Sequence, residues 1–227
     1  MANKKQQNDQ INVEDALDRS QVFFDKNKKA IIGALVALVL VIGGYFMYKN
    51  MYQAPREEKA QAALFKGETF FRQNQFELAL NGDSISYKGF VKVADEFSGT
   101  DAANLANAYA GICYARLGKF DEAVKYLDKF SAGDHLVSPA IKAAMGSCYV
   151  EMNKLDKAVS LLVDAADDAE SEALSPIYLL QAGQIYVKMG QFDKAVSTFN
   201  VIKNDYPRSM QARDIDKYIE QAKMLKK

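Results

Sequence analysis

His135, Cys113 and Cys148 are the whole stock of histidine and cysteine in the chain. A zinc site takes three or four such ligands at short spacings such as HxxxH or HExxH. Neither spacing occurs, so no metal site is expected. His135, in "SAGDHLVSP", follows Gly133 and precedes Ser138-Pro139, which reads as a surface loop. Acid/base chemistry would need two carboxylates facing each other. The adjacent pairs Asp167-Asp168 and Glu57-Glu58 diverge on a helix, and they read as solvated faces. No catalytic or cofactor-binding residue is therefore expected, nor a small-molecule substrate, and the chain does not read as an enzyme. Twenty-nine basic residues balance twenty-nine acidic ones along the chain, which removes the electrostatic footprint of a nucleic-acid binder. Binding to lipid and to protein is the chemistry left.

The lipid-binding element is "KNKKAIIGALVALVLVIGGYFMYK", residues 26–49. Ala30–Tyr48 is uncharged and, at 1.5 Å per residue, comes close to the ~30 Å of a bilayer core. A cleaved signal peptide would carry a shorter apolar run and a small-x-small site; here Tyr45, Phe46 and Tyr48 form an interfacial belt instead. The expected division is a cytoplasmic tail at 1–29, a transmembrane helix at 30–48, a juxtamembrane linker at 49–59 and a soluble domain at 60–227. Orientation rests on Arg19, Lys26, Lys28 and Lys29 before the span against Lys49, Arg56 and Lys59 after it, with the dense "KNKK" at the inner boundary. Ala30, Gly33, Ala37 and Gly44 share one helical face, a stripe on which a second membrane helix could pack closely; Phe23 and Phe24 flank it at the inner boundary.

Three later segments share one layout: "AYAGICYARLGKFDEAVKYLDKF", "AAMGSCYVEMNKLDKAVSLLVDA" and "LQAGQIYVKMGQFDKAVSTFNVI". Gly111, Gly146 and Gly183 are 35 (146 − 111) and 37 (183 − 146) residues apart, the period of a helix-pair solenoid. Without side chains they let paired helices approach, opposite Ala123, Ala158 and Ala195. Gly118, Asn153 and Gly190 stop each first helix, and Asp121, Asp156 and Asp193 start the second on the favourable end of its dipole. Cys113 and Cys148 fall at equivalent places in neighbouring first helices, whose usual 8–10 Å separation is too wide for a disulfide. Buried free thiols are expected. A degenerate earlier copy, with Gly67, Phe70, Asn74, Phe76 and Ala79, carries about ten extra residues around "LNGDSIS" by the usual 34-residue period. "SMQARDIDKYIEQAKMLKK" has the one-sided apolar face of a terminal cap, with Ala212, Ile215, Ile219 and Ala222.

This pattern resembles the tetratricopeptide repeat, down to Pro207 closing the last copy. The implied fold is all-α: a transmembrane helix, then an α-solenoid of four helix pairs near 60–100, 104–135, 139–172 and 176–208, and a cap at 209–227. That makes nine soluble helices. The resemblance also implies a concave binding face on the first helices. Its exposed positions would be Leu64, Glu68 and Phe71; Leu105, Ala108, Ile112 and Arg116; Ala143, Ser147 and Val150; and Leu180, Gln184, Val187 and Lys188. The same apolar residues would also suit packing against the insertion or a neighbouring repeat. The clamp asparagines by which chaperone adaptors of this family hold acidic C-termini are replaced by Glu68, Ile112, Ser147 and Gln184, so that ligand class is not expected.

Tail, single span and repeats together are similar in layout to the YfgM-type family of ancillary Sec translocon subunits, and "FFDKNKKA" resembles that family's residues before the span. Tyr45, Tyr48 and Tyr52 stand where those relatives carry tryptophans. The resemblance implies a bacterial inner-membrane protein with a periplasmic repeat domain that meets the Sec translocon, periplasmic chaperones or emerging secreted chains. A scaffold for cell-wall or outer-membrane complexes fits the same layout, as does, with reversed topology, an organelle import receptor.

Overall fold

The computed structural model describes residues 13–83 and 85–226, and of residues 13–25 the backbone alone. Two compact units divide the chain between Pro55 and Arg56. The first contains α1 (Val13–Met47) and a π-helical segment, Tyr48–Gln53. By length and composition its apolar stretch suffices to cross a membrane, and none of that stretch is buried. Tyr45, Phe46, Tyr48 and Tyr52 are exposed at its end, with Tyr48 and Tyr52 stacked at 5.4 Å.

The second unit holds α2 (Ala54–Arg72), of which it takes all but the first two residues, then α3 (Phe76–Asn81), α4 (Phe90–Glu96), α5 (Asp101–Arg116) and α6 (Phe120–Leu127). It continues with α7 (Val137–Glu151), α8 (Leu155–Ala169), α9 (Ser175–Lys188), α10 (Phe192–Asp205) and, after a 3-10 turn, α11 (Ile215–Leu225). Among the described residues of this unit ten α-helices thus stand where nine were expected, because the second helix of the first pair is split into α3 and α4. The split lies at Gly82 and Gly89, with φ of 90° and 93°. A Cβ on Gly82 would lie 2.2 Å from the Tyr87 carbonyl oxygen, and one on Gly89 would lie 2.3 Å from that of Leu80. Two legs of chain touch there, as only glycine permits. Residues 49–59 are helical, and Arg56 and Glu57 among them bond to the repeats.

Elsewhere the helix stops and starts follow the residues that specify them. Gly118, Gly190 and Asn153 all have positive φ, and Asn74 repeats the solution in the first pair. Within each pair the helices close on a glycine. At Gly183 an added Cβ would meet Phe199 Cε1 at 2.2 Å, and at Gly67 it would meet the Tyr87 hydroxyl at 2.1 Å. Ala79, Ala123, Ala158 and Ala195 are wholly buried on the opposing helices. Phe90, Leu127, Leu162 and Phe199 fill the space around them, each worth roughly 1.5–3 kcal/mol of burial. Ile215, Ile219 and Ala222 of α11 complete the last core cluster, which leaves the charged face of the cap to water.

Candidate functional site

The first helices of the four pairs, α2, α5, α7 and α9, carry all fourteen expected binding positions. Leu105, Arg116, Ser147, Gln184 and Lys188 are exposed, and Glu68, Phe71, Ile112, Val150, Leu180 and Val187 are half-buried. Leu64, Ala108 and Ala143 are buried in the core, which corrects their expected exposure. They sit one turn before Glu68, Ile112 and Ser147, on the edge of the stripe that turns inward.

Between α7 and α9 lies an open groove of about 330 Å³. Ser147, Val150 and Glu151 form one wall and Gln181, Gln184 and Lys188 the other, over a floor that includes Leu162 and Ile185. Four of the fourteen positions meet here. Gln181 and Glu151 were missed, although each falls three or four residues from an expected position on the same face, a spacing that could have found them. The groove combines a small apolar floor with amides that can both donate and accept, and with one charge of each sign. Such an arrangement suits a peptide main chain with one apolar side chain.

The first pair's face is closed by its own aromatics together with Tyr109 of α5. Phe71 contacts Phe76 and Tyr109 edge-on at 5.6 and 5.2 Å, and the Tyr109 hydroxyl donates to Glu68 Oε1 at 3.2 Å. Burial, and then the Glu68 carboxylate, push the Tyr109 hydroxyl up. Around the insertion, Asp83 Oδ1 accepts the amides of Ile85, Ser86 and Tyr87, and Oδ2 accepts the Ser86 hydroxyl at 2.6 Å. Tyr87 is carried by that loop onto Gly67 and donates its hydroxyl to the Ala79 carbonyl at 2.9 Å.

His135 is exposed in the loop before α7, its Nδ1 2.7 Å from the Asp168 carbonyl oxygen. Asp167 and Asp168 are exposed, and Asp168 pairs with Lys142 at the surface; Glu57 is half-buried and has partners in the repeats. Cys113 and Cys148 are buried and free, and burial pushes the Cys113 thiol up to about 12. Among the described residues no group of three or more histidines, cysteines or carboxylates is placed to hold a metal ion.

In α1, Ala30, Gly33, Ala37 and Gly44 are exposed, and nothing lies within 4 Å of a Cβ built on Gly33 or Gly44. At 3.6 residues per turn they share an arc of roughly 60°. The side chains of Phe23 and Phe24 lie outside the described residues.

A family model described as a tetratricopeptide repeat-like domain matches residues 21–212. No curated protein sequence matches the chain. Among solved structures, a crystal structure of MamA protein is similar at 18% identity and a TM-score of 0.57, over 74% of this chain and 85% of that one. A crystal structure of nearly identical TPR-like repeats, from a Podosopora anserina chain designated a kinesin light chain, is similar at 14% identity and a TM-score of 0.53. That match covers 74% of this chain and 87% of the other. At such identities the likeness is one of fold.

Proposed function

The chain belongs to the tetratricopeptide repeat-like domain family, and from that premise we propose that it is a membrane-anchored protein-interaction module of the bacterial envelope. Its place is beside the Sec translocon, where the repeat domain meets periplasmic chaperones or emerging secreted chains. The open groove between α7 and α9 is the observation that carries the binding role, because it sets an apolar floor among unused amide donors and acceptors. The residues "FFDKNKKA" before the span support the place beside the translocon. A second surface is the stripe of Ala30, Gly33, Ala37 and Gly44, flanked by Phe23 and Phe24. In lipid there is no hydrophobic drive between helices, so close backbone approach over small residues is a main source of association.

Photo-crosslinkers at Ser147 and Gln184, followed by identification of the captured proteins, test the reading. Newly exported chains or their chaperones are expected; capture of one stable cell-wall or outer-membrane complex would favour the scaffold reading instead. Replacing Gly33 and Ala37 together by isoleucine is expected to abolish co-purification of the membrane partner in mild detergent. Unchanged recovery would leave α1 as an anchor only.

A further inference from the structure

The N-terminus of α5 is capped in an unusual way. The first amides of a helix have no acceptor within it and need outside partners. At α7 the partner is local, Asp134, and before α9 it is Ser171. At α5 the first two amides are served from another helix: Asp101 N–H donates to Glu57 Oε2 at 2.8 Å and Ala102 N–H donates to Glu57 Oε1 at 3.0 Å. Thr100 Oγ1 accepts the third, from Ala103, at 3.1 Å. On the other side of the same turn Arg56 Nη2 donates to the carbonyls of Glu96 and Ser98, at 3.0 and 3.4 Å.

The signs match the helix dipoles twice. A carboxylate lies on the positive end of α5 and a guanidinium on the negative end of α4, and both sets of bonds are charge-assisted. Two successive residues, the first two of the repeat unit, thus hold both ends of one inter-repeat turn. Further along the same helices, the bond from Tyr109 to Glu68 ties α5 to α2 again.

We propose that Arg56 and Glu57 form a latch that makes the seating of α5 depend on the opening turn of α2. Leu105, Ile112 and Arg116 ride on α5, so unwinding at Arg56 and Glu57 loosens that part of the binding face. The α7–α9 groove, built on other helices, keeps its order. This latch stands on the hydrogen bonds alone and holds whatever the repeats bind.

Hydrogen exchange at single-amide resolution, on the full chain in detergent, tests it. Asp101 and Ala102 donate their amides to Glu57, so Glu57→Ala is expected to speed their exchange roughly tenfold. Exchange should also quicken in the body of α5, from Leu105 to Gly111, while α9 is unchanged. Glu58→Ala, which removes an exposed neighbour of the same charge, should alter neither. If Glu57→Ala does not fold, Glu57→Gln keeps the shape and one acceptor, and it should give an intermediate increase at the same amides. Unchanged protection of Asp101 and Ala102 would overturn the latch. So would an effect confined to those two amides, or an equal effect from Glu58→Ala.

Discussion

Gly183 shows how much one missing methyl group decides. A Cβ there would lie 2.2 Å from Phe199 Cε1 and 2.7 Å from Cδ1, and Phe199 is itself 1% exposed, so the ring has nowhere to go. Gly183→Ala is expected to cost roughly 1–3 kcal/mol of overpacking. In a domain of this size that lowers the melting temperature by about 2–4 °C per kcal/mol. Bulky replacements of Ala158 or Ala195, wholly buried on the facing helices, should act in the same way. Gly33→Ala meets nothing within 4 Å and should leave the melting of the repeats unchanged. Circular dichroism melts of the full chain in detergent compare the two. If Gly183→Ala melts like the parent, the close approach is wrong.

The insertion between α3 and α4 is the element that departs most from the repeat. Its order depends on Asp83, whose carboxyl is held well below the usual range by the Ser86 hydroxyl and by the amides of Tyr87, Ser86 and Ile85. A carboxylate depressed in the folded state stabilises it fully above the unfolded value of about 3.9 and loses that stabilisation as pH falls below it. The amides of Ile85, Ser86 and Tyr87 are therefore expected to lose protection progressively as the pH is lowered below about 4. Asp83→Ala should show the same loss at neutral pH and no further acid dependence in the loop. Amide NMR shifts of Ser86 and Tyr87 follow both. A loop whose spectrum is the same in parent and variant would mean that the glycine-closed base alone orders it.

For the whole molecule the open quantity is topology. The proposed orientation, with the repeats outside, rests on the dense lysines before the apolar stretch and on the rule that a long following domain is translocated whatever its own charge. Protease added to spheroplasts is then expected to digest 50–227 and spare the first 29 residues. Intact repeats in that assay, digested only after the membrane is broken, would reverse the orientation and favour the import-receptor reading.

Periodicity and turn chemistry made the solenoid legible from residue types alone. Gly118, Asn153 and Gly190 stop helices through their own backbone freedom, and the glycine–alanine pairs recur because every hairpin has the same local geometry. The apolar run of α1 was legible for a similar reason, since its length and hydrophobicity need no partner. Tertiary structure decided what depends on residues distant in sequence. Leu64, Ala108 and Ala143 are buried because neighbouring helices cover that edge of the stripe, and a face count cannot supply the cover. Glu57 looked like half of a solvated acidic pair, yet it reaches amides 44 and 45 residues away. The break at Gly82 and Gly89 came from two chain segments touching, and the α7–α9 groove from the spacing of two helices. Local backbone preferences are written in a few adjacent residues, whereas contacts across repeats depend on how helices stack.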